Sequence, residues 1–157
     1  MWLQSGQNSC GPTCVANALL CLGPRWKKIS EKAVIDKVRL LGTIADTDPG
    51  AGAIETQIMR ALSAYGVKHD TLSVHNPQSA VAALRGYLVL GRPTLLAVDN
   101  DDHWVVAAGV LGSGFLIVDS AADDLVNVYD EDRLANRWKS AGDPNVYYGL
   151  VLRGRGK

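Results

Sequence analysis

Three side chains that can cooperate in nucleophilic catalysis lie far apart along the chain: Cys10, His103 and Asp119. Around Cys10 a polar loop gives way to an apolar run, and Pro12 suits the first turn of a helix. The unpaired N–H groups and the positive dipole end at a helix N-terminus stabilise a thiolate, the nucleophilic form of cysteine. A cysteine beside an apolar helix is by itself more often a packing residue, so the argument depends on its partners.

His103 and Asp119 are predicted to meet at one end of a β-hairpin. His103 opens the apolar run 103–110, and Asp119 follows the next apolar run, 115–118, after a turn at 112–114. In a tight hairpin the start of the first strand lies beside the end of the second. Each residue alone is typical of a turn, but together they favour catalysis: His103 as general base and acid for Cys10, and Asp119 orienting the imidazole.

An acyl-transfer site also needs hydrogen-bond donors for the oxyanion that develops during the reaction. The backbone N–H of Cys10 is one donor. A side-chain amide in the preceding loop is the expected second donor, and both Gln4 and Gln7 have one. Their spacing alone does not choose between them.

Hydrophobic periodicity and turn residues predict the elements that must position this site. The predicted helices are 10–22, 31–41, 53–64, 80–89 and 130–138. The predicted strands are 68–74, 93–98, 103–110, 115–118, 125–128 and 146–152. Because helices come first and hairpin-linked strands follow, we expect an α+β fold in which N-terminal helices pack on a C-terminal antiparallel sheet. The length favours a single domain over residues 1–157.

Composition excludes several classes of protein. The chain has 16 basic and 16 acidic residues, which does not suit a nucleic-acid binder. It has no apolar stretch long enough for a transmembrane helix and no secretory signal, so we expect neither membrane insertion nor a membrane partner. The three cysteines share one short segment and do not form a disulfide framework. No pattern for a metal, nucleotide or flavin occurs, so we expect no cofactor and no metal.

Four motifs resemble one family of peptidases. The segment 10–19, Cys-Gly-Pro-Thr-Cys-Val-Ala-Asn-Ala-Leu, with Gln4 six residues before its cysteine, resembles the active-site region of the bacteriocin-processing cysteine peptidases. These are papain-like domains that cut after double-glycine leaders. Similar motifs follow in the same order at 103–106, His-Trp-Val-Val, and at 117–120, Ile-Val-Asp-Ser.

The resemblance implies a papain-like cysteine peptidase fold and a role for each motif residue. By it, Cys10 is the nucleophile, His103 the base, Asp119 the third member of a triad and Gln4 the oxyanion donor. The chain departs from the family pattern at Ser9, where an acidic residue is usual, and at Ser120, where proline is common.

The function that the sequence predicts is that of a cysteine endopeptidase acting on protein or peptide substrates, with a preference for Gly-Gly or other small residues before the cut. Two alternatives stay open. The same triad serves a glutamine deamidase, a transglutaminase or an acyltransferase, and the fold also suits a non-catalytic peptide-binding module. Redox chemistry through Cys10 and Cys14 is disfavoured, because their spacing is one residue longer than the usual Cys-x-x-Cys.

A narrower hypothesis concerns the biological setting. Free-standing domains of the resembled kind also occur as toxic effectors in bacterial competition. In that setting the expected partners are the substrate and a cognate inhibitor or immunity protein. The protein would then act in the cytoplasm, or in a target cell after delivery as part of a larger effector.

Overall fold

The computed structural model describes residues 1, 3, 10–40, 55–139 and 146–153. The helices in these residues are α1 (Cys10–Cys21), α2 (Glu31–Leu40), α3 (Glu55–Ala64), α4 (Pro77–Val89) and α5 (Glu131–Trp138). The strands are β1 (His69–Val74), β2 (Thr94–Val98), β3 (His103–Leu111), β4 (Gly114–Val118), β5 (Val126–Tyr129) and β6 (Tyr147–Leu152).

The six strands form one sheet in the order β1-β6-β2-β3-β4-β5, and every neighbouring pair is antiparallel. All five residues of β2 are buried, because this central strand has helices on both faces. The α+β fold with an antiparallel sheet is therefore confirmed. The segment 68–74, predicted to be an edge strand, is β1 at one edge of that sheet.

Helix α1 is more deeply buried than its sequence periodicity predicts. The pattern indicates one apolar face, but every residue from Cys10 to Leu19 is buried. The reason is tertiary, since α1 lies between the sheet and the helices α2 and α3, with β3 as a neighbour along its length. Its small residues allow this close approach on several sides at once. The helix that begins at Cys10 is thus held rigidly against the strand that begins at His103.

The alternation of side chains along the strands builds two apolar layers. On one face, here called the α1 face, helices α1 and α3 pack against Leu95, Val106, Val118 and Leu150. On the other, the α4–α5 face, helices α4 and α5 pack against Leu96, Val105, Phe115, Ile117 and Val151. Each strand in the middle of the sheet therefore contributes to both layers.

Polar caps explain where the helices begin. Ser30 Oγ accepts a hydrogen bond from the Ala33 N–H at 3.1 Å, which confirms the predicted start of α2. Helix α4 begins at Pro77, three residues before the predicted start at 80, because Asn76 Oδ1 accepts from the Ser79 N–H at 3.0 Å. Asp130, predicted as the first residue of α5, is its N-cap.

Some predictions fall on other parts of the chain. Gln4 and Gln7 lie outside the described residues, as do the first two residues of the predicted helix 53–64. Among the helices that the structure describes, none is both long and apolar enough to cross a membrane.

Candidate active site

Cys10 is the first residue of α1, at the end of the sheet where β3 begins. Its side chain lies within the buried layer of the α1 face, and the residue is 6% exposed. The backbone N–H groups of Gly11 and Trp104 donate hydrogen bonds to its sulfur, and the His103 side chain makes a further hydrogen bond. The thiol therefore meets the helix N-terminus on one side and the first residues of β3 on the other, as the sequence predicts.

His103 is the first residue of β3 and lies between Cys10 and Asp119. Its Nε2 is 2.7 Å from Asp119 Oδ1, so its other ring nitrogen, Nδ1, is left for the hydrogen bond with the Cys10 thiol. The imidazole is only 13% exposed, so water has little access to it.

A β-bulge brings His103 and Asp119 to the same side of the sheet. From the turn, β3 and β4 pair regularly as far as Gly109 and Leu116, and Ala108 is then the extra residue of the bulge. Beyond it, Val106 pairs with Val118. In a regular hairpin Asp119 would follow in register with Val106, whose side chain points to the face opposite that of His103. The bulge shifts the register by one residue and corrects this.

Asp119 uses both of its carboxylate oxygens. Oδ1 faces His103 and also accepts a hydrogen bond from the Ala121 N–H at 3.0 Å. Oδ2 accepts a hydrogen bond from Nη1 of Arg137 at 2.9 Å. The side chain is 5% exposed. A buried carboxylate with this many donors is fixed in position and stays ionised.

Arg137, in the last turn of α5, is a member of the site that the sequence analysis missed. Its guanidinium reaches Asp119, the Tyr129 hydroxyl at 2.5 Å from Nη1, and both carboxylate oxygens of Asp99. Asp99 precedes His103 by four residues, in the turn between β2 and β3. The sequence shows Arg137 only as a basic residue at a helix C-terminus, which is a common position for a solvated charge. No local signal joins it to Asp119.

The environment sets opposite pKa shifts on the two groups that would exchange a proton. Burial opposes ionisation of the Cys10 thiol, but the hydrogen bond and charge of His103 and the two backbone N–H groups outweigh it, so the pKa of Cys10 is lowered. Burial likewise disfavours the His103 imidazolium, but hydrogen bonds with Asp119 and Cys10 raise the pKa of His103 to about 9. The two opposite shifts favour the thiolate–imidazolium pair over the neutral thiol and imidazole.

Asp119 stays negatively charged beside His103, because its pKa is strongly lowered. Burial raises it, but the hydrogen bonds from His103, Arg137 and the Ala121 N–H prevail and hold the pKa of Asp119 far below its usual range. Its carboxylate can therefore orient His103 and stabilise the imidazolium throughout the neutral range.

The arrangement has the parts that covalent acyl-transfer chemistry needs. A thiol with a lowered pKa lies at a helix N-terminus, an imidazole with a raised pKa is within hydrogen-bond reach to protonate a leaving group, and a carboxylate fixes that imidazole. Among the described residues, no group of three or more His, Cys, Asp or Glu side chains could hold a metal ion.

Comparison with known proteins agrees with the geometry in pointing to a cysteine peptidase. The profile of the Peptidase_C39 like family matches residues 1–146. No curated protein matches the chain. The fold is similar to that of the peptidase domain of Streptococcus ComA, a bi-functional ABC transporter involved in quorum sensing, with 18% identity and a TM-score of 0.67 over 98% of this chain and 97% of that one.

Two further solved structures share the fold. A putative C39-like peptidase from Bacillus anthracis has 13% identity and a TM-score of 0.66, covering 100% of this chain and 96% of its own. A double glycine motif protease from an AMS/PCAT transporter, in complex with the leader peptide, has 15% identity and a TM-score of 0.64, covering 97% of this chain and 89% of its own. At such identities these likenesses concern the fold.

Proposed function

The chain belongs to the Peptidase_C39 like family and is a papain-like cysteine protease, and from this premise we propose that it cleaves peptides or proteins through a Cys10–His103–Asp119 triad. The observation that carries the proposal is the continuous hydrogen-bonded path from the Cys10 thiol through the imidazole to the buried carboxylate, with 2.7 Å between His103 Nε2 and Asp119 Oδ1.

The proposed reaction has two stages. The Cys10 thiolate attacks the carbonyl carbon before the cut, and His103 gives its proton to the departing amine, so that a thioester links the acyl half of the substrate to Cys10. Water then attacks the thioester while His103 accepts a proton from it. The acid is released, and the Cys10 thiolate and the protonated His103 are restored.

Stabilisation of the oxyanion in this proposal comes from the start of α1. The backbone N–H of Cys10 belongs to the first turn of the helix, where N–H groups have no partner within the helix. The second proposed donor is the side-chain amide of Gln4, an assignment that stays a prediction from the family resemblance.

We propose that the substrate carries Gly-Gly or another pair of small residues before the cut. Support comes from the family and from one similar structure, which is described as a double glycine motif protease in complex with its leader peptide. The physical reason for such a preference is a close approach between substrate backbone and cleft, which residues without a bulky side chain permit.

A peptide series tests the reaction and the preference together. Matched peptides that differ only in Gly-Gly, Ala-Ala or Val-Val before one central bond are incubated with the wild-type protein and with Cys10→Ala, and the products are measured by mass spectrometry. We expect cleavage at that bond by the wild type, fastest after Gly-Gly, and none by the variant. Equal rates for all three peptides would contradict the preference, and cleavage by Cys10→Ala would contradict the mechanism.

The same samples distinguish the alternative chemistries on the triad. A mass gain of about one dalton on glutamine, or a new isopeptide link without chain cleavage, would replace the proposal by deamidation or acyl transfer. Mapping of new N-termini in a bacterial lysate extends the test to substrates of unknown sequence. Binding of peptide that persists in Cys10→Ala, with no product from the wild type, would favour a non-catalytic module.

The toxic-effector hypothesis, with its inhibitor or immunity partner, stays a prediction. It is tested by induced expression in a bacterial cytoplasm, where an effector would slow growth and its Cys10→Ala variant would not. Equal growth of the two strains would contradict it.

A further inference from the structure

Arg137 joins two parts of the site that are distant in sequence. Through Nη1 it holds Asp119, which hydrogen-bonds the ring of His103, and through Nε and Nη2 it holds Asp99, which belongs to the turn that leads into His103. The backbone of Arg137 takes part as well, because its carbonyl accepts a hydrogen bond from the Asp99 N–H at 2.8 Å. The guanidinium thus connects Asp119, which holds the His103 ring, with Asp99, which belongs to the turn that leads into the His103 backbone.

The turn held by Arg137 has an unusual backbone conformation. Asp99, Asn100 and Asp101 all have positive φ, at 54°, 61° and 66°. Aspartate and asparagine tolerate this left-handed region better than other residues with a side chain, but three in succession are uncommon and depend on contacts that hold the turn. The Asp102 N–H donates a hydrogen bond to the Asp99 carbonyl at 3.3 Å within the turn, and Arg137 adds a two-point ion pair with the Asp99 side chain and a hydrogen bond with its backbone N–H.

Helix α5 does not depend on Arg137 for its attachment to the sheet. Leu134 and Trp138 are fully buried on the α4–α5 face, and Trp138 Nε1 donates a hydrogen bond to the Tyr148 carbonyl at 2.7 Å. The Arg137 side chain by contrast is 25% exposed and directs its polar end at the site. Its ion pairs therefore serve the site more than the packing of the helix.

We propose that Arg137 is a positioning residue of the protease site. It fixes the geometry of His103 because one guanidinium binds both Asp119 and the Asp99 turn. The inference rests on the proposed triad and deepens it. Arginine suits this role because its planar fork can bond two carboxylates at once, which a lysine ammonium does with much poorer geometry. Arg137 touches neither Cys10 nor the His103 ring in this arrangement, so its effect passes through Asp119 and Asp99.

Charge gives Arg137 a second effect. The charged groups around His103 are Cys10 from α1, Asp119 after β4, Asp99 in the preceding turn and Arg137 from α5. With Arg137 present, the carboxylate of Asp119 stays ionised far below neutral pH. Loss of the guanidinium removes a positive charge from this cluster, which raises the pKa of Asp119 and also that of the Cys10 thiol, so on acidification the thiolate is protonated at a higher pH than in the wild type.

The test compares Arg137→Gln and Arg137→Lys with Arg133→Gln. Arg133 is the matched control, because it lies one turn earlier on the same helix and stacks on the same Tyr129 ring, 3.9 Å from its centroid, but contacts neither aspartate. For each variant, kcat and KM are measured on the cleaved peptide as a function of pH. The rate of Cys10 alkylation by iodoacetamide is followed in parallel, since it needs no substrate.

We expect Arg137→Gln to lower kcat by about 10- to 100-fold with KM changed less than about threefold, because the reacting groups are misplaced while the cleft is unchanged. The pH below which kcat of this variant falls, its acid limb, should be higher than in the wild type. Arg137→Lys, which keeps the charge, should leave the acid limb in place and recover part of kcat. Arg133→Gln should stay within about twofold of the wild type in both parameters.

Each result has one interpretation. If Arg137→Gln matches Arg133→Gln in kcat and in the acid limb, Arg137 does not position the site. If it loses activity only in proportion to the unfolded fraction in a thermal melt, its role is structural and the proposal is wrong. Failure of the proposed function is distinguishable, because the wild type itself would then neither cleave peptide nor depend on Cys10.

Discussion

The first two turns of α1 each contain a buried cysteine, but the pKa values of the two thiols are shifted in opposite directions. Cys10 is 6% exposed and Cys14, one turn later, is 2% exposed. The pKa of Cys10 is lowered, whereas burial, followed by charge repulsion from Cys10, raises the pKa of Cys14 well above its usual value. Both cysteines are free thiols.

The neighbours of a buried thiol decide whether it ionises, because burial alone opposes ionisation. Desolvation is the largest effect on both residues, and it raises the pKa of both. Cys10 alone of the two meets an imidazolium and two N–H donors.

The largest effect is expected from replacing the two cysteines separately. Cys10→Ala should reduce kcat/KM by at least about 10³-fold, because no other group can form the thioester. Cys14→Ala should keep cleavage within a few-fold and cost about 1–2 kcal/mol in the free energy of unfolding, as expected for loss of a small buried side chain. Peptide cleavage and urea unfolding measure the two. If both variants lost cleavage equally, the proposed difference in role between Cys10 and Cys14 would be wrong.

His103→Gln should make Cys10 resemble Cys14. Without the imidazolium, burial is opposed only by the backbone donors, so we expect the pKa of Cys10 to rise and its alkylation at pH 7 to slow by about 10²-fold. Stopped-flow alkylation with iodoacetamide measures the rate. An unchanged rate would mean that the helix N-terminus stabilises the thiolate without His103.

The pH dependence of cleavage should reflect the imidazolium and its carboxylate. Between the lowered pKa of Cys10 and the pKa of His103, about 9, the pair is thiolate and imidazolium, so kcat/KM should fall on the alkaline side near pH 9. Asp119→Asn removes the negative charge that stabilises the imidazolium, lowers the pKa of His103 and should move this limb by about one unit or more toward neutral pH. A limb that stays near pH 9 in the variant would exclude Asp119 as its cause.

The smallest effect concerns the third cysteine of α1. Cys21 is partly exposed, but burial raises its pKa to about 11, so its thiolate fraction at pH 7 is only about 10⁻⁴. We therefore expect one rapidly alkylated thiol per native chain at neutral pH and three after unfolding in urea. A mass-spectrometric count measures both states, and a second fast thiol in the native protein would contradict the comparison.

Much of the fold was accessible from sequence because its signals are local. The helix that begins at Cys10, the strand that begins at His103 and the turn at 112–114 depend on periodicity and on turn residues within a few positions of one another. The structure confirms these elements, with ends that differ where a cap such as Asn76 starts a helix early. The depth of burial of α1 was not accessible, since it depends on contacts with the sheet and with other helices that are distant in sequence.

Residue types and local patterns were enough to select Cys10, His103 and Asp119 as side chains that could cooperate, since one begins a helix and the other two lie at linked strand ends. Whether these side chains meet depends on the folded structure. A regular hairpin would separate His103 from Asp119 across the sheet, and the bulge at Ala108 brings them to one side. The link from Arg137 to Asp119 and Asp99 also exists only in the folded chain, because no local pattern encodes contacts across 18 and 38 residues.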